Sequence, residues 1–439
     1  MNGYLNESNF TMVEEGFTPR DLLENLLSEQ QAFFVADLGD IVRKHLRFLK
    51  ALPRVKPYFP VKCNSSGGVL RLLAELGAGF ACANKTEIAA VQSIGVPADK
   101  IFYSSPCKQI AHIKYAASRG VRLMAFDNEV ELGKVARSHP HARMLLGIAA
   151  DSSPSAHPSM MFGATLKSCR RLLEAAKEQA VEVVGIRYGT LSFHRGARGG
   201  HPSGELFLGP IWGRLACREG LCGVAHGVEH LFPTQIAAVI NSALDTYFPE
   251  GCGVEIIARP GRYYVTSAFT LAASITAKEE IPMEQPGSDG PWGWGSVGPA
   301  CLWDHVPSFP AAAQFLPPQK PCPDHLLCSS LRGPPGLPED RIADSVELPE
   351  LQDGDWLIFQ DMGAYSIAVP SLLGGCPQPQ VTYAMSRLPG FKSGAILSLE
   401  KPWAARLRPC TWSWGSKPVL GIEAELMGSN IFSPPRSLP

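Results

Sequence analysis

Hydrophobic residues in the first 260 positions alternate between two patterns. Short apolar runs, typical of β-strands, are each followed by a segment with apolar residues three and four positions apart, typical of amphipathic helices. The predicted strands cover residues 32–38, 57–62, 79–83, 101–103, 121–126, 143–149, 181–186 and 254–258. This alternation predicts right-handed β–α crossovers and a parallel sheet. The number of units favours a closed α/β barrel over an open sheet.

One predicted strand ends on an amine. The apolar run from Pro57 leads to Lys62, and a turn through Ser65-Ser66-Gly67 then leads into a helical pattern. Catalytic groups of α/β barrels collect at the carboxyl ends of the strands. A lysine held there by apolar neighbours can have a lowered pKa and form a Schiff base with a carbonyl or with pyridoxal phosphate. The alternative is an ordinary surface lysine at a strand end.

The pattern changes twice along the chain. Residues 187–230 are rich in Gly and Arg and lack a steady period, and antiparallel strands set among turns begin after residue 264. Within this part, residues 286–338 are crowded with Gly and Pro and predict an irregular loop. The predicted domains are an N-terminal segment 1–31 contributing to the β domain, a barrel 32–264, and a mostly β domain 265–439 with the irregular insert 286–338 and a frayed tail. A capped helix is predicted over residues 18–31.

Composition narrows the function classes. Of 439 residues, 45% are hydrophobic and 18% are charged, which is compatible with an enzyme or with a regulator. The formal net charge is −1, and this near-neutral charge disfavours nucleic acid as a partner. The longest apolar run, residues 265–277, is too short to span a membrane. The N-terminus lacks signal-peptide features. The 12 cysteines are scattered without zinc-ligand spacing, so no metal site is expected. We therefore expect a cytoplasmic protein with reduced thiols.

Motifs in a fixed order along the chain carry a family resemblance. They are Val61-Lys62-Cys63-Asn64, Ala83-Asn84-Lys85-Thr86-Glu87, Pro106-Cys107-Lys108-Gln109, Phe126-Asp127-Asn128-Glu129, Phe162-Gly163-Ala164-Thr165-Leu166, Pro260-Gly261-Arg262-Tyr263-Tyr264 and Met362-Gly363-Ala364-Tyr365. In this order they resemble the ornithine decarboxylases and their non-catalytic relatives, the antizyme inhibitors. The resemblance covers well over half of the chain.

The resemblance implies an alanine-racemase-type barrel (fold type III of pyridoxal-phosphate enzymes) with a β domain after it, and a role in polyamine (putrescine) metabolism. Pyridoxal 5′-phosphate is the implied cofactor, and the family's decarboxylases are dimers. By position, Lys62 matches the Schiff-base lysine, Glu87 an active-site acid and His194 the histidine that stacks on the pyridine ring. Arg262 and Tyr365 match phosphate-binding residues, and Asp304 a residue that contacts the substrate's distal amine.

Several positions depart from the decarboxylases. Arg259 replaces the glutamate that keeps the pyridine nitrogen protonated, and a guanidinium there would leave a weaker electron sink. The family's Gly-Gly-Gly phosphate turn is missing between residues 184 and 236. Gly336 replaces the catalytic cysteine, and Leu337 replaces the aspartate that recognises ornithine. An aliphatic side chain facing the distal ammonium disfavours ornithine turnover.

The resemblance also implies protein partners. Residues 113–136, which include Ile113, Lys114, Tyr115, Glu129 and Ala136, match the element through which the family binds antizyme. Ala81 and Gly147 follow the antizyme-inhibitor pattern. Met161 replaces a dimer-interface lysine whose expected aspartate partner survives as Asp340, which predicts a weakened homodimer.

Three hypotheses follow. The favoured one is a catalytically impaired regulator that binds antizyme. The second is an active pyridoxal-phosphate decarboxylase with altered specificity, because Leu337 would suit an apolar amino acid such as leucine. The third is a degenerate homologue that no longer functions. Whether the chain is an enzyme stays open from sequence alone.

Overall fold

Eight parallel strands close into a barrel in the structure, a computed structural model. The structure describes residues 10–13, 32–149, 163–189, 221–222, 234–279, 294–297, 313–315, 327–332, 341–348, 351–367 and 379–386. Around the barrel, the strands are β3 (Val55–Pro60), β4 (Gly79–Cys82), β5 (Ile101–Tyr103), β6 (Leu123–Phe126), β7 (Arg143–Ala149), β8 (Glu182–Gly189), β9 (Leu221–Cys222) and β10 (Glu255–Ala258), with β10 pairing back onto β3. The predicted α/β barrel is thus confirmed.

The barrel interior is filled by side chains. Alternate residues of the strands point inward and form a closed apolar cluster of Tyr58, Ala81, Phe102, Leu123, Ala125, Leu145, Val184 and Ile257. The Tyr58 ring packs directly against Gly79, and a Cβ on Gly79 would lie 2.7 Å from that ring. A packed interior leaves the ends of the strands as the place for a site.

Helices follow β2 (Phe33–Asp37) and the barrel strands, and they pack on the outside of the barrel. They are α1 (Leu38–Ala51), α2 (Gly67–Glu75), α3 (Lys85–Ser93), α4 (Ile110–Ser118), α5 (Glu129–Ser138), α6 (Leu166–Glu178), α7 (Thr234–Tyr247) and α8 (Gly261–Val265). Side-chain caps begin several of them: Asp37 accepts from Gly39 N at 2.9 Å, and Asn128 accepts from Glu131 N at 2.9 Å. Apolar faces pack against the strands in one large core.

A second, mixed sheet lies beside the barrel. Its strands run in the order β1 (Phe10–Val13), β17 (Gln380–Ser386), β2 (Phe33–Asp37), β11 (Phe269–Glu279), β12 (Trp294–Val297), β14 (Leu327–Arg332) and β15 (Arg341–Leu348), with β13 (Ala313–Phe315) and β16 (Trp356–Phe359) joined to β11 through β16. The sheet therefore combines strands from near both ends of the sequence.

The structure corrects three details of the sequence analysis. Strand β2 belongs to the mixed sheet and not to the barrel, because it pairs with β17 and β11. The first antiparallel strand, expected directly after residue 264, begins at Phe269. The residues before it are helical because Tyr263 and Tyr264 turn inward, where Tyr263 donates to Lys44 O at 3.0 Å. The insert 286–338 is not wholly irregular, since β12, β13 and β14 obtain partners from distant strands.

The helix predicted over residues 18–31 lies outside the described residues. Among the helices that are described, none combines the length and the apolar character needed to cross a membrane.

Candidate functional site

The carboxyl ends of the barrel strands form a mouth that gathers charged residues from distant parts of the sequence. Lys62 lies in a short 3-10 helix, Val61–Cys63, directly after β3. Burial lowers the pKa of its amine, and Arg259 and Arg187 lower it further, while Glu87 opposes them. Lys62 as a whole residue is exposed, and the partial burial of its amine favours the neutral form. The strand-end position of Lys62 agrees with the sequence analysis.

Glu87 caps the helix that follows β4. Its two carboxylate oxygens accept from Ala83 N at 2.6 Å and from Asn84 Nδ2 at 2.9 Å, and its own N–H donates to Asn84 Oδ1 at 2.9 Å. Burial raises the pKa of Glu87, and the Ala83 N–H and Lys62 oppose that rise. These contacts give Glu87 a structural role at the start of α3, within the electrostatic reach of Lys62.

Arg262 and Tyr365 meet near Lys62 although they lie about 100 residues apart in the sequence. The Arg262 guanidinium lies 5.0 Å from the centre of the Tyr365 ring. Tyr365 has a φ of 65°, and its N–H donates to Cys63 O at 2.7 Å. A left-handed backbone at a tyrosine is a strained conformation, which the bond to Cys63 helps to hold. The structure therefore brings Lys62, Arg262 and Tyr365 to one mouth.

Arg259 is the most buried cation at this mouth. It follows β10 and is 2% exposed, and neither its Nε nor its Nη2 has a hydrogen-bond partner among the residues that the structure describes. Burial, with Arg187 next in importance, holds the pKa of Arg259 well below its usual range, while Tyr365 raises it. Sequence analysis singled out Arg259 but missed Arg187. The sequence feature that could have identified Arg187 is its place near the carboxyl end of β8, where the alternation of strands and helices stops.

The remaining predicted site residues cannot be placed. His194, Asp304 and Leu337 lie outside the described residues, as do Met161 and Asp340. Their roles stay predictions.

The charges at the mouth decide whether pyridoxal phosphate fits as a decarboxylation cofactor. Lys62 and the Arg262–Tyr365 pair are present, so the mouth offers an amine and a guanidinium. Arg259, however, presents buried donors where a carboxylate would be needed to hold a proton on the pyridine nitrogen. The described residues therefore do not fit the cofactor in the form that decarboxylation requires.

The predicted antizyme-binding residues lie on two helices outside the barrel, α4 and α5. Lys114 and Glu129 are exposed, and Tyr115 and Ala136 are half-buried. Ile113 is fully buried, so it can support this surface through packing but cannot contact a partner. Glu129 accepts from Arg171 Nη2 of α6 at 2.8 Å, and the Arg119 guanidinium lies 5.4 Å from the centre of the Tyr115 ring.

A buried ion pair supports these two helices. Lys108 and Glu131 are joined at 3.0 Å, with side chains 0% and 3% exposed. Lys108 Nζ also donates to Ala125 O at 2.5 Å, and Glu131 Oε1 accepts from Lys108 N at 3.1 Å. Lys134 bonds to Glu131 and donates to Lys108 O at 2.7 Å. The segment before α4 is therefore fixed to the first turns of α5.

Comparison with known proteins places the chain among decarboxylase relatives. Residues 38–197 match the model of the pyridoxal-dependent decarboxylase, pyridoxal binding domain, which confirms the resemblance to pyridoxal-phosphate proteins. Antizyme inhibitor 2 of Mus musculus is 51% identical over 88% of this chain and 90% of its own length. Ornithine decarboxylase of Mus musculus is 44% identical, over 86% of this chain and 87% of its own.

The fold agrees with these similarities. The crystal structure of the arginine decarboxylase of Paramecium bursaria Chlorella virus superposes with a TM-score of 0.68 at 27% identity, and the match covers 83% of this chain and all of that one. The alanine-racemase-type barrel with a β domain is thus confirmed. With relatives this similar over most of its length, the chain belongs to the family of ornithine decarboxylases and antizyme inhibitors.

Proposed function

We propose that this protein is a regulator that binds antizyme through helices α4 and α5 and does not decarboxylate ornithine. The observation that carries the proposal is a set of exposed basic residues, here called the basic face, on these helices and on the segment that follows α4, in a chain that is about half identical to antizyme inhibitors. Such a protein would act on polyamine metabolism by occupying antizyme.

The basic face is formed by exposed side chains between residues 110 and 140. Its cations are Lys114, Arg119, Arg122 and Arg137, and Glu129 is the exposed carboxylate in this range. Val130, on the first turn of α5, is 74% exposed and adds an apolar contact. A surface of this kind fits a partner with acidic and apolar side chains, because complementary charge speeds and orients association.

The barrel mouth supports the second half of the proposal. Arg259 replaces a carboxylate, and its buried guanidinium adds positive charge beside Lys62. A diamine product or an amino acid with a distal ammonium would enter a cationic mouth, which disfavours its binding.

Binding is tested by calorimetric titration of the full chain with antizyme. We expect saturable binding that is weakened at least about tenfold by Lys114→Glu together with Arg119→Glu, because both changes reverse charges on the basic face. The matched control is Lys50→Glu, which reverses an exposed charge on α1, away from α4 and α5, and should leave the affinity unchanged.

The proposal is wrong if no binding occurs at micromolar protein, or if Lys50→Glu weakens binding as much as the double variant does. A parallel assay with ornithine and added pyridoxal phosphate should release no carbon dioxide above the background. Release that disappears in Lys62→Ala would show an active enzyme instead.

The weakened homodimer is part of the same proposal. It rests on Met161 standing in place of a lysine opposite Asp340. Sedimentation of the full chain should show mostly monomer at micromolar concentration, and Met161→Lys should shift the population toward dimer. A stable dimer in the unmodified chain would contradict it.

A further inference from the structure

Two arginines at the barrel mouth have buried side-chain nitrogens that lack a hydrogen-bond acceptor among the described residues. Arg259 is 2% exposed, and no described residue accepts from its Nε or Nη2. A buried charge without a hydrogen-bonded counter-ion is costly, and a native structure usually supplies one. The unpaired donors of Arg259 therefore point to a ligand that is not part of the chain.

Arg187, on strand β8, also has a buried nitrogen without an acceptor among the described residues. Its Nη1 donates to Ser104 O at 3.0 Å, while its buried Nε has no acceptor among the described residues. Arg187 and Arg259 are close enough for each charge to act on Lys62, and Arg187 also acts on Arg259. Strands β8 and β10 both pair with β9, so Arg187 near the end of β8 and Arg259 just after β10 lie two strands apart at the same end of the barrel.

The carboxylates nearby do not neutralise this group. Glu87 acts on Lys62, but its oxygens are bonded to the start of α3. Asp127 acts on Arg187. Tyr365 is the group that offsets the charge of Arg259, and it is a phenol. Among the described residues, positive charge therefore exceeds negative charge at the mouth.

We propose that Arg259 and Arg187 form an anion-binding site for a small oxyanion of the phosphate class at the mouth of the barrel. Guanidinium groups donate paired hydrogen bonds in a plane, which match the oxygens of a phosphate. This site is separate from the Arg262–Tyr365 pair, where the family resemblance puts the phosphate of the cofactor. It goes beyond antizyme binding and does not depend on it.

The test is titration of the full chain with inorganic phosphate and with pyrophosphate, each compared with chloride at equal ionic strength. We expect saturable binding and a melting temperature that rises with phosphate. Arg259→Gln should weaken binding at least about tenfold, because one charged bidentate donor is lost. Without phosphate the same variant should melt at a higher temperature than the unmodified chain, since the unpaired buried charge is gone.

Arg54→Gln is the matched control. Arg54 precedes β3, at the opposite end of the barrel, and pairs with Asp245 at 2.7 Å. Its loss should lower stability but leave phosphate affinity unchanged. Arg187→Gln is a second variant at the site and should also weaken binding, which keeps the test valid if Arg259→Gln fails to fold.

Two further titrations identify the source of the anion. Competition of pyridoxal phosphate, but not pyridoxal, with inorganic phosphate would assign the oxyanion to a phosphorylated ligand. Binding of phosphate without such competition would assign a free oxyanion, and either result supports the site. The proposal is overturned if neither phosphate nor pyrophosphate binds up to about 10 mM. It is also overturned if binding is lost in Arg262→Gln but unchanged in Arg259→Gln and Arg187→Gln.

Discussion

Single residues fix how close the barrel and the mixed sheet can come. Gly363 is the tightest case: a Cβ there would lie 1.7 Å from Val265 O and 2.9 Å from the Phe269 ring. Its N–H donates to Thr266 O at 3.1 Å, so the backbone of this segment runs directly against the residues that follow α8. A side chain at this position cannot be placed without moving the backbone.

We expect Gly363→Ala to destabilise the protein by about 3 kcal/mol or more, because backbone atoms would have to separate. The matched control is Gly133→Ala in the middle of α5, where the nearest atoms to a Cβ are side-chain ends at 3.5 Å or beyond. That change should stabilise the protein by about 0.5–1 kcal/mol through helix propensity. Urea unfolding of both variants measures the difference, and equal effects would contradict the structure.

A buried histidine predicts how stability responds to acid. His45 is 2% exposed and its Nδ1 lies 2.9 Å from the Tyr264 hydroxyl. Burial lowers the pKa of His45 from its ordinary 6.5 to about 4. Below pH 6.5 the unfolded chain therefore binds a proton that the folded protein refuses. The free energy of unfolding should fall between about pH 6.5 and pH 4, by up to about 3 kcal/mol.

His45→Gln should remove this part of the pH dependence, because no ionisable group remains at the site. Tyr264→Phe is the control. It removes the hydroxyl but keeps the burial that causes the lowered pKa, so the dependence should persist. Unfolding measured at several pH values would refute the argument if the wild-type and His45→Gln curves ran parallel.

At the scale of elements, α4 and α5 depend on the buried pair Lys108–Glu131. Burial lowers the pKa of Lys108, and Glu131 opposes that effect. Glu131→Gln would leave the Lys108 ammonium inside the protein without its counter-ion, and we expect a loss of about 3–5 kcal/mol. Glu129→Gln, which breaks the exposed pair with Arg171 on the same helix, should cost less than about 1 kcal/mol. Thermal unfolding of both variants compares them.

The Lys108–Glu131 pair also makes a prediction for antizyme binding. If Glu131→Gln loosens the segment before α4 at a temperature where the protein stays folded, affinity for antizyme should fall although Glu131 itself is buried. Glu129 is exposed on the proposed surface, so Glu129→Gln should change affinity with a much smaller drop in melting temperature than Glu131→Gln. The opposite pattern would place the binding surface elsewhere.

Elements with a regular period were predictable, and those that depend on distant partners were not. The strand ending at Pro60 and the capped helices at Asn84 and Asn128 follow from local patterns. Strands β12 and β13 are three or four residues long and exist through pairing with β11, β14 and β16, which no local pattern encodes. Strand β2 had the right type but the wrong sheet, because strand sequences do not specify their partners.

Residues of the candidate site were predictable where a local pattern or the family resemblance identified them. Lys62 was identified at a strand end. The family resemblance gave the positions of Arg262 and Tyr365. The resemblance gave Glu87 as an active-site acid, and the structure adds that its carboxylate accepts from Ala83 N and Asn84 Nδ2 at the start of α3. That Arg187 and Arg259 lie at the same end of the barrel, two strands apart, could not be predicted, because it requires the barrel to close and bring β8 near β10 through β9.

At the scale of the whole molecule, the barrel and the mixed sheet share hydrogen bonds. Asn64 Nδ2 donates to Gly363 O at 2.9 Å, and Tyr365 N donates to Cys63 O at 2.7 Å. One large apolar core extends across barrel strands and sheet strands. These contacts should make the described parts unfold together.

We therefore expect amide hydrogen exchange in β3–β6 and in β11 and β16 to report the same free energy of opening. Asn64→Ala leaves the Gly363 carbonyl without this donor and should lower both values by a similar amount, about 1–3 kcal/mol. A variant that lowers the value of the sheet alone would show two independent units.

The order of the sheet strands has a consequence for synthesis on the ribosome. Strand β2 is made early, but its two neighbours are β11 and β17, which follow more than 200 and 300 residues later. Until they emerge, its apolar residues have no sheet to join, while the barrel strands that follow can already pair in order. The apolar residues of β2 therefore stay without sheet neighbours until β11 has been made. Termination before residue 269 would release fragments in which β2 pairs with neither β11 nor β17.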